Sequence, residues 1–334
     1  MGEPAQPETA ERRSWFDAVA AYGDRRVAAM LALGFSSGLP LVLIFATMSR
    51  WLAEVGVSRT DIAVFSLVGL AYGFKFVWAP AVDHVPLPGL RRALGRRRSW
   101  VLFAQGGVIV GIVGMALTDP ASALGTMAMF AVVTAFSSAT QDIAIDAWRI
   151  ESAPEEMQGA MAGAYQLGYR LAVLAGGAGV FFIVAGIQFD FPGVGASAWR
   201  YGYLAMAGAM LVGVVTILVA GEPRVHIDAK TEHMEEAIER GAGGGAFGKA
   251  VGYLGDAVVL PFVDFFKRNG WIGLLILAFI GTYWLSDQIW GVLAQPFYFD
   301  MGYTKVEVGI ASKTFGLFVT IAGALLGGVL VARV

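Results

Sequence analysis

The feature that most constrains this chain is a series of long apolar runs, at about residues 27–49, 60–83, 99–118, 121–147, 157–186, 200–220, 269–295 and 304–331. A helix needs roughly 18–20 mainly apolar residues to cross the hydrocarbon of a bilayer. In that medium every backbone N–H and C=O must be bonded within the protein, and a helix does this within its own segment. The runs therefore predict an all-α integral membrane protein with eight transmembrane helices. Charged residues are only 15% of the 334, against about 25% in soluble domains, which excludes a soluble globular protein. The chain has no Cys, so disulfides, thiolate metal sites and cysteine nucleophiles are excluded as well. A formal net charge of −2 gives no electrostatic case for a nucleic-acid partner.

The runs also set the domain layout. Residues 1–26 are polar and have no short apolar core before a small-residue cleavage site, so they read as a cytoplasmic segment rather than a signal peptide. Within them, residues 14–26 with Trp15, Phe16 and Tyr22 predict a short interfacial helix. Residues 27–220 hold six spans. Residues 221–268 mix charges with the glycine-rich stretch 241–245 and read as a cytoplasmic linker, with an amphipathic helix expected near 231–240. Residues 269–334 hold two more spans. Six spans, a long cytoplasmic loop and further spans is the layout of a transporter built from two six-helix halves. The second half stops after two helices, so the expectation is a chain truncated to the first eight of about twelve. With the N-terminus inside, 17 Lys and Arg fall on the cytoplasmic side and four (Arg50, Arg59, Arg200, Lys305) outside, a positive-inside bias. Trp51, Trp100, Trp148, Trp199 and Trp271 lie near span ends, where an interfacial aromatic belt is expected.

Glycine is abundant, at 44 residues, and small residues let transmembrane helices approach closely. Gly159 with Gly163, Gly176 with Gly177, and Gly323 with Gly327 and Gly328 are the expected close-packing surfaces. Pro40 removes one backbone bond inside span one, so a bent helix is expected, with Ser36 or Ser37 available to bond the freed carbonyl.

Ions inside the spans are the candidate functional groups, because each costs about 2.5–3.5 kcal/mol at a helix centre and needs a partner or a wet cavity. They are Lys75, Asp142, Asp146, Arg170, Asp287 and Lys313, with Asp83 and Arg149 at the cytoplasmic edge. Asp142 and Asp146 stand four apart on one helix face, and Arg149 follows three residues later. Asp146 is expected to pair with Arg149 or Arg170, and Asp287 with Lys313. A carboxylate near a cation, able to exchange that partner for a proton, is a physical basis for proton coupling. Asp142 and Asp287 are the candidates for that role. Arg170 and Lys313 are candidates for anionic groups of a solute, and Gln141, Tyr165, Gln166, Tyr169 and Gln288 for lining its site. No catalytic residue is assigned: the histidines, His84, His226 and His233, lie in loops away from Ser36 and Ser37, and two-aspartate hydrolysis finds cations beside both acids. His226 and His233 do not share a helix face, so no metal site or cofactor is expected.

Several stretches together resemble the AmpG family of muropeptide permeases: Gly34-Phe-Ser-Ser-Gly-Leu-Pro-Leu41, Phe65-Ser-Leu-Val-Gly69, Tyr72-x-Phe-Lys-Phe-x-Trp-x-Pro80 with Asp83, and Gly95-Arg-Arg-Arg-x-Trp100. So do Gln141-Asp-Ile-Ala-Ile-Asp-Ala-Trp148, Gly168-Tyr-Arg-Leu171, Pro296-Phe-Tyr-x-Asp300, Lys313-Thr-Phe-Gly316 and Gly323-x-Leu-Leu-Gly-Gly328. The likeness covers nearly the whole chain from about residue 25. It implies a major facilitator fold, two halves rocking about a central cavity, and proton-driven import of anhydromuropeptides across a bacterial inner membrane for cell-wall recycling. It further implies that Asp83 with Arg96, Arg97 and Arg98 latches the cytoplasmic side, in a loop lengthened here by residues 84–94. The expected partners are solute, protons and lipid, with a monomeric chain and no nucleic acid. Acetyl-coenzyme A carriers within the same superfamily, and a non-transporting membrane sensor on the same fold, are the competing readings.

Overall fold

The computed structural model describes residues 23–85, 87, 89–223, 243–316 and 318–319; the side chains of 84, 156, 243–262, 264, 280, 284–285, 287–288, 291–292 and 312–314 are not among those described. Six helices among the described residues are long and apolar enough to cross a membrane. They are α1 (Arg25–Glu54), α2 (Arg59–Val77), α3 (Arg96–Leu117), α4 (Leu124–Ser152), α5 (Met157–Asp190) and α6 (Pro192–Val219). Beyond them run α7 (Gly243–Asp300) and the short α8 (Lys305–Val308), which continues as a π-helical turn over Gly309–Phe315. The amphipathic helix expected near 231–240, the interfacial helix before residue 23, His226, His233 and the Gly323–Gly328 surface lie outside the described residues.

Boundaries follow local chemistry. The Asp24 side chain caps α1 by accepting from the Arg26 N–H at 2.7 Å, and Ser58 caps α2 by accepting from the Asp61 N–H at 3.1 Å. Thr304 and Glu307 form a reciprocal capping box at the start of α8. Within α7 the backbone turns at Gly270 (φ 52°, ψ −137°), which only glycine adopts without strain. The seventh apolar run begins there, and residues 243–269 before it are helical.

Three expectations are corrected. Span two is not one regular helix: it passes through 3-10 turns at Ser66–Gly69 and Lys75–Val77 before a short helix, Ala79–His84. Pro80 cannot donate a backbone bond and restricts the residue before it, so the helix ends and restarts there. Span one contains Pro40 and then loosens into a π turn, Leu43–Thr47, but neither serine serves the freed carbonyl. Ser36 donates to the Leu33 carbonyl at 2.9 Å, and Ser37 is turned towards Asp142. The tryptophan belt is mostly interior: Trp51, Trp148 and Trp199 are buried, and Trp271 is exposed. Trp51 stacks on Trp199 at 6.1 Å and tilts against Tyr203 at 5.1 Å. The indole N–H of Trp148 donates to the Gly221 carbonyl at 3.1 Å. An internal acceptor for the N–H makes such burial inexpensive.

Helix α5 runs along α1, and α4 along α3. Lipid provides no hydrophobic drive between helices, so close approach and dispersion do the work. A methyl group added at Gly34 would collide with the Tyr165 carbonyl, and one at Gly168 with the Leu31 carbonyl. At Gly38 it would stand 2.8 Å from the Tyr169 carbonyl oxygen, and at Gly176 2.5 Å from Val42 Cγ1. The expected surface at Gly159 faces open space instead. Farther along the seam, α5 has its own π turn at Ala175–Gly179, and Thr47 Oγ1 donates to the Gly176 carbonyl at 2.6 Å.

Candidate functional site

The buried apolar residues of the bundle form two clusters. One, at the end where α1 begins (the proximal end), contains Val27, Met30, Leu33, Val101, Ile145, Trp148, Met161 and Ile217. The other, towards the distal end, contains Leu43, Phe45, Met48, Trp51, Ile112, Phe181, Trp199 and Tyr203. Between them, each of α1, α3, α4 and α5 presents polar groups: Ser36 and Ser37, Gln105, Ser138 with Gln141 and Asp142, and Tyr165 with Tyr169. Gly213 on α6 makes room for this layer, since a methyl there would meet Ser36 and Gln105. A polar layer halfway along a membrane bundle is costly, which makes it the candidate functional site.

Its centre is Ser37. The hydroxyl donates to the Asp142 carboxylate and lies 2.7 Å from the Tyr165 hydroxyl. One hydroxyl thus ties α1 to α4 and α5. Because Ser37 has a single proton and gives it to Asp142, the Tyr165 O–H donates to Ser37. Lys75 and Asp146 act electrostatically on Asp142, and Arg170 acts on Tyr169. Among the described residues, neither Lys75 nor Arg170 has a carboxylate oxygen within the 4.0 Å of an ion pair. Asp146 instead pairs with Arg149 at 3.6 Å, one of the two cations expected for it. The Arg149 guanidinium also donates to Gln158 at 3.2 Å.

The other expected residues fall in three groups. Tyr165, Tyr169 and Gln166 follow one another on the α5 turn facing Asp142, with Gln166 exposed and the tyrosines half-buried. Gln141 is fully buried and both atoms of its amide lack a partner among the described residues, so it does not line an open space in this state. Its position adjacent to Asp142 turns it about 100° away around the helix. The side chains of Asp287, Gln288 and Lys313 lie outside those described.

The latch residues occupy the proximal end. Arg97 is nearly buried and donates to Asp83 at 2.7 Å and to Glu151 at 2.5 Å and 3.0 Å. Arg96 pairs with Glu151 at 3.4 Å. Arg98 caps the end of α6 through the Ile217 and Leu218 carbonyls, at 2.8 Å and 2.6 Å. Glu222 accepts from the N–H groups of Arg97 and Arg98 at 2.8 Å and 3.1 Å, at the start of α3. These residues tie α3, α4, the segment after α2 and the end of α6 to one another.

A second ionic group, not anticipated from sequence, occupies the distal end. Lys305 binds Glu54 at 2.8 Å and Gln188 at 2.9 Å. Glu54 also accepts from Gln188 at 3.0 Å and from the Trp199 indole at 3.2 Å. Arg59 pairs with Asp300, and Arg50 donates to the Tyr303 carbonyl at 3.0 Å. Glu54, Gln188 and Lys305 look like ordinary span-end polarity in sequence; nothing there links positions 117 or more residues apart.

Comparison with known proteins identifies the family and the fold. Residues 27–234 match the family model described as acetyl-coenzyme A transporter 1. The chain is 37% identical over 309 residues to the anhydromuropeptide permease of Escherichia coli K12, covering 92% of this chain and 56% of that protein. It is 30% identical to the putative transporter AmpG 4 of Rickettsia felis, covering 94% of this chain and 69% of that one. The chain thus spans little more than half the length of the E. coli relative. In structure it resembles a D-xylose-proton symporter (TM-score 0.59, 12% identity, 96% of this chain and 70% of that one). It also resembles the E. coli xylose transporter XylE (TM-score 0.54, 13% identity, 89% and 68%). At such identities the solved structures speak to the fold alone, and the fold is that of major facilitator transporters. With the helices, the polar middle layer and the sequence relatives taken together, the chain belongs to the AmpG family of the major facilitator superfamily.

Proposed function

We propose that this chain serves a proton-coupled carrier that imports anhydromuropeptides across the bacterial inner membrane, with its N-terminus in the cytoplasm. The observation that supports this best is the Tyr165–Ser37–Asp142 chain, which joins three helices in the polar layer beside Lys75 and Arg170. In the arrangement described, protons point from Tyr165 to Ser37 to Asp142. When Asp142 binds a proton it becomes a donor, Ser37 reverses, and Tyr165 becomes an acceptor with a proton to place elsewhere. A sugar hydroxyl or peptide carbonyl of the solute is a natural acceptor for it. Protonation of one carboxylate would thereby alter the hydrogen bonding offered to the solute. Arg170, and Lys313 across the second half, are assigned to the solute's carboxylates, and Asp287 to a second proton-sensitive position. The division into residues 1–26, 27–220, 221–268 and 269–334 belongs to the same reading, as does a monomeric carrier. Cell-wall recycling is the physiological setting it implies.

The test is uptake of labelled anhydromuropeptide into membrane vesicles containing the protein, with and without an uncoupler. Accumulation that the uncoupler abolishes supports the carrier. Binding that ignores the uncoupler, with no accumulation, supports a sensor. The Asp142→Asn protein is expected to insert normally and to lose uptake; full uptake would remove Asp142 from the mechanism. A match to the acetyl-coenzyme A transporter model favours one other solute, and competition by acetyl-coenzyme A in the same vesicles distinguishes it.

A further inference from the structure

We propose that Arg50 is an anion-binding site at the distal seam, which takes a carboxylate adjoining an amide N–H and is covered by α7 and α8 in this structure. Arg50 is 4% exposed, and among the described residues only its Nη2 has an acceptor, the Tyr303 carbonyl at 3.0 Å. Its Nε and Nη1 are buried and have no partner among the described residues. The guanidinium stacks 4.8 Å from the centre of the Phe299 ring. A neutral donor would suffice to bond one carbonyl, whereas a buried charge without a counter-ion is among the most expensive groups a protein can hold.

Glu54 acts on Arg50 through space, but none of the neighbouring acids bonds to it. Glu54 lies one turn further along α1, but its carboxylate is engaged by Lys305, Gln188 and Trp199. Asp300 pairs with Arg59, and Glu307 turns back onto the start of its own helix. With Arg59–Asp300 and Glu54–Lys305 paired and Glu307 bonded to Thr304, no carboxylate is bonded to Arg50 among the described residues. Gln295 stands one turn before Phe299 on the same face of α7, 2% exposed, and its Oε1 is likewise unpartnered. The seam therefore holds spare guanidinium donors and a spare amide acceptor. A planar guanidinium is suited to gripping a carboxylate with two parallel bonds, and the amide oxygen to accepting an N–H beside it. That combination is the terminus of an N-acylated amino acid. When the distal end opens, Phe299 and Tyr303 withdraw with the α7–α8 turn and Arg50 is uncovered for such a group to replace them. The inference needs only that the seam opens; it does not depend on Asp142 or on coupled transport.

The test measures binding of N-acetylalanine and of its neutral amide, N-acetylalaninamide, to the protein in lipid nanodiscs, read by tryptophan fluorescence. Trp51 adjoins Arg50 in sequence. The acid is expected to bind roughly 10- to 100-fold tighter than the amide, the scale of charge-assisted hydrogen bonds. Arg50→Gln should erase that preference, Arg50→Lys retain part of it, and Gly159→Ala, which faces open space, retain it in full. Lys305→Met, which loosens the cover, should tighten binding of the acid. Equal or absent binding of the two probes by the unaltered protein overturns the proposal. So does a preference that survives in Arg50→Gln or disappears in Gly159→Ala. If Arg50→Gln fails to fold, Arg50→Lys and the acid–amide contrast in the unaltered protein decide.

Discussion

The two ends of the bundle are both tied by ions, but they tie different things. At the proximal end, the bonds of Arg97, Arg98, Glu151 and Glu222 among the described residues lie within residues 83–222, joining the six-helix unit to itself. At the distal end, Arg50, Arg59, Glu54 and Gln188 reach across to Asp300, Tyr303 and Lys305 on the α7–α8 turn. Proximal bonds of this kind can persist while helices move as a body. Distal bonds have to break before that end can separate. The first group holds the helices of the six-helix unit together, and the second joins that unit to the α7–α8 turn.

The largest expected effect comes from breaking the six-helix unit. Arg97→Ala removes the shared partner of Glu151 and Asp83; Glu151 keeps Arg96 and Asp83 is 38% exposed, so the cost falls at the low end of the about 3–5 kcal/mol for breaking a buried pair. Thermal unfolding in detergent should show the loss, while distal labelling stays unchanged. Next is the seam that connects the ends. Gly168→Ala drives a methyl into α1 and should cost about 1–3 kcal/mol by overpacking. Its control, Gly159→Ala, faces open space and should be neutral or stabilising by up to about 1 kcal/mol. Equal effects of the two would mean that the α1–α5 contact is looser than described.

No larger in stability, but sharper for the comparison, is Lys305→Met. It removes the charge-assisted bonds to Glu54 and Gln188, but Glu54 keeps the Gln188 and Trp199 donors, so the loss is that of one such bond, about 1.5–3 kcal/mol. Its signature is accessibility. The chain has no native Cys, and Val308 is 4% exposed, so maleimide labelling of Val308→Cys should rise in Lys305→Met and not in Arg98→Gln. A rise in both would erase the distinction between the ends. The smallest effect belongs to Arg59→Gln. That pair is exposed, at 71% and 38%, and is expected to contribute under about 1 kcal/mol and to weaken with salt.

Much of the middle layer is legible in sequence because an ion or a tyrosine inside an apolar run stands out. Asp142, Tyr165 and Tyr169 are picked out in this way, and the structure brings them to one place. Ser37 is not, because a serine beside a proline is equally explained by repair of the helix. Only its distance from two residues more than 100 positions away distinguishes the two readings. Glu151 and Glu222 escape for a different reason. At span ends a carboxylate is cheap, so sequence assigns it to solvent, whereas here both are acceptors for a cluster of arginines. The tryptophans err in the opposite direction: proximity to a span end suggests an interface, but packing takes Trp51 and Trp199 inside.

Sequence alone determined that this chain spans a membrane as helices, and which ions need explaining. Hydrocarbon cannot satisfy a bare backbone or a lone charge, so that constraint acts segment by segment and shows in one dimension. Tertiary structure decided which groups meet: Ser37 with Asp142, Arg97 with Glu151, Glu54 with Lys305, and Arg50 with no acid among the described residues. Those pairings depend on how closely glycine lets α1 approach α5, and on where α7 and α8 come to rest. Both are properties of helices packed together, which no single segment contains.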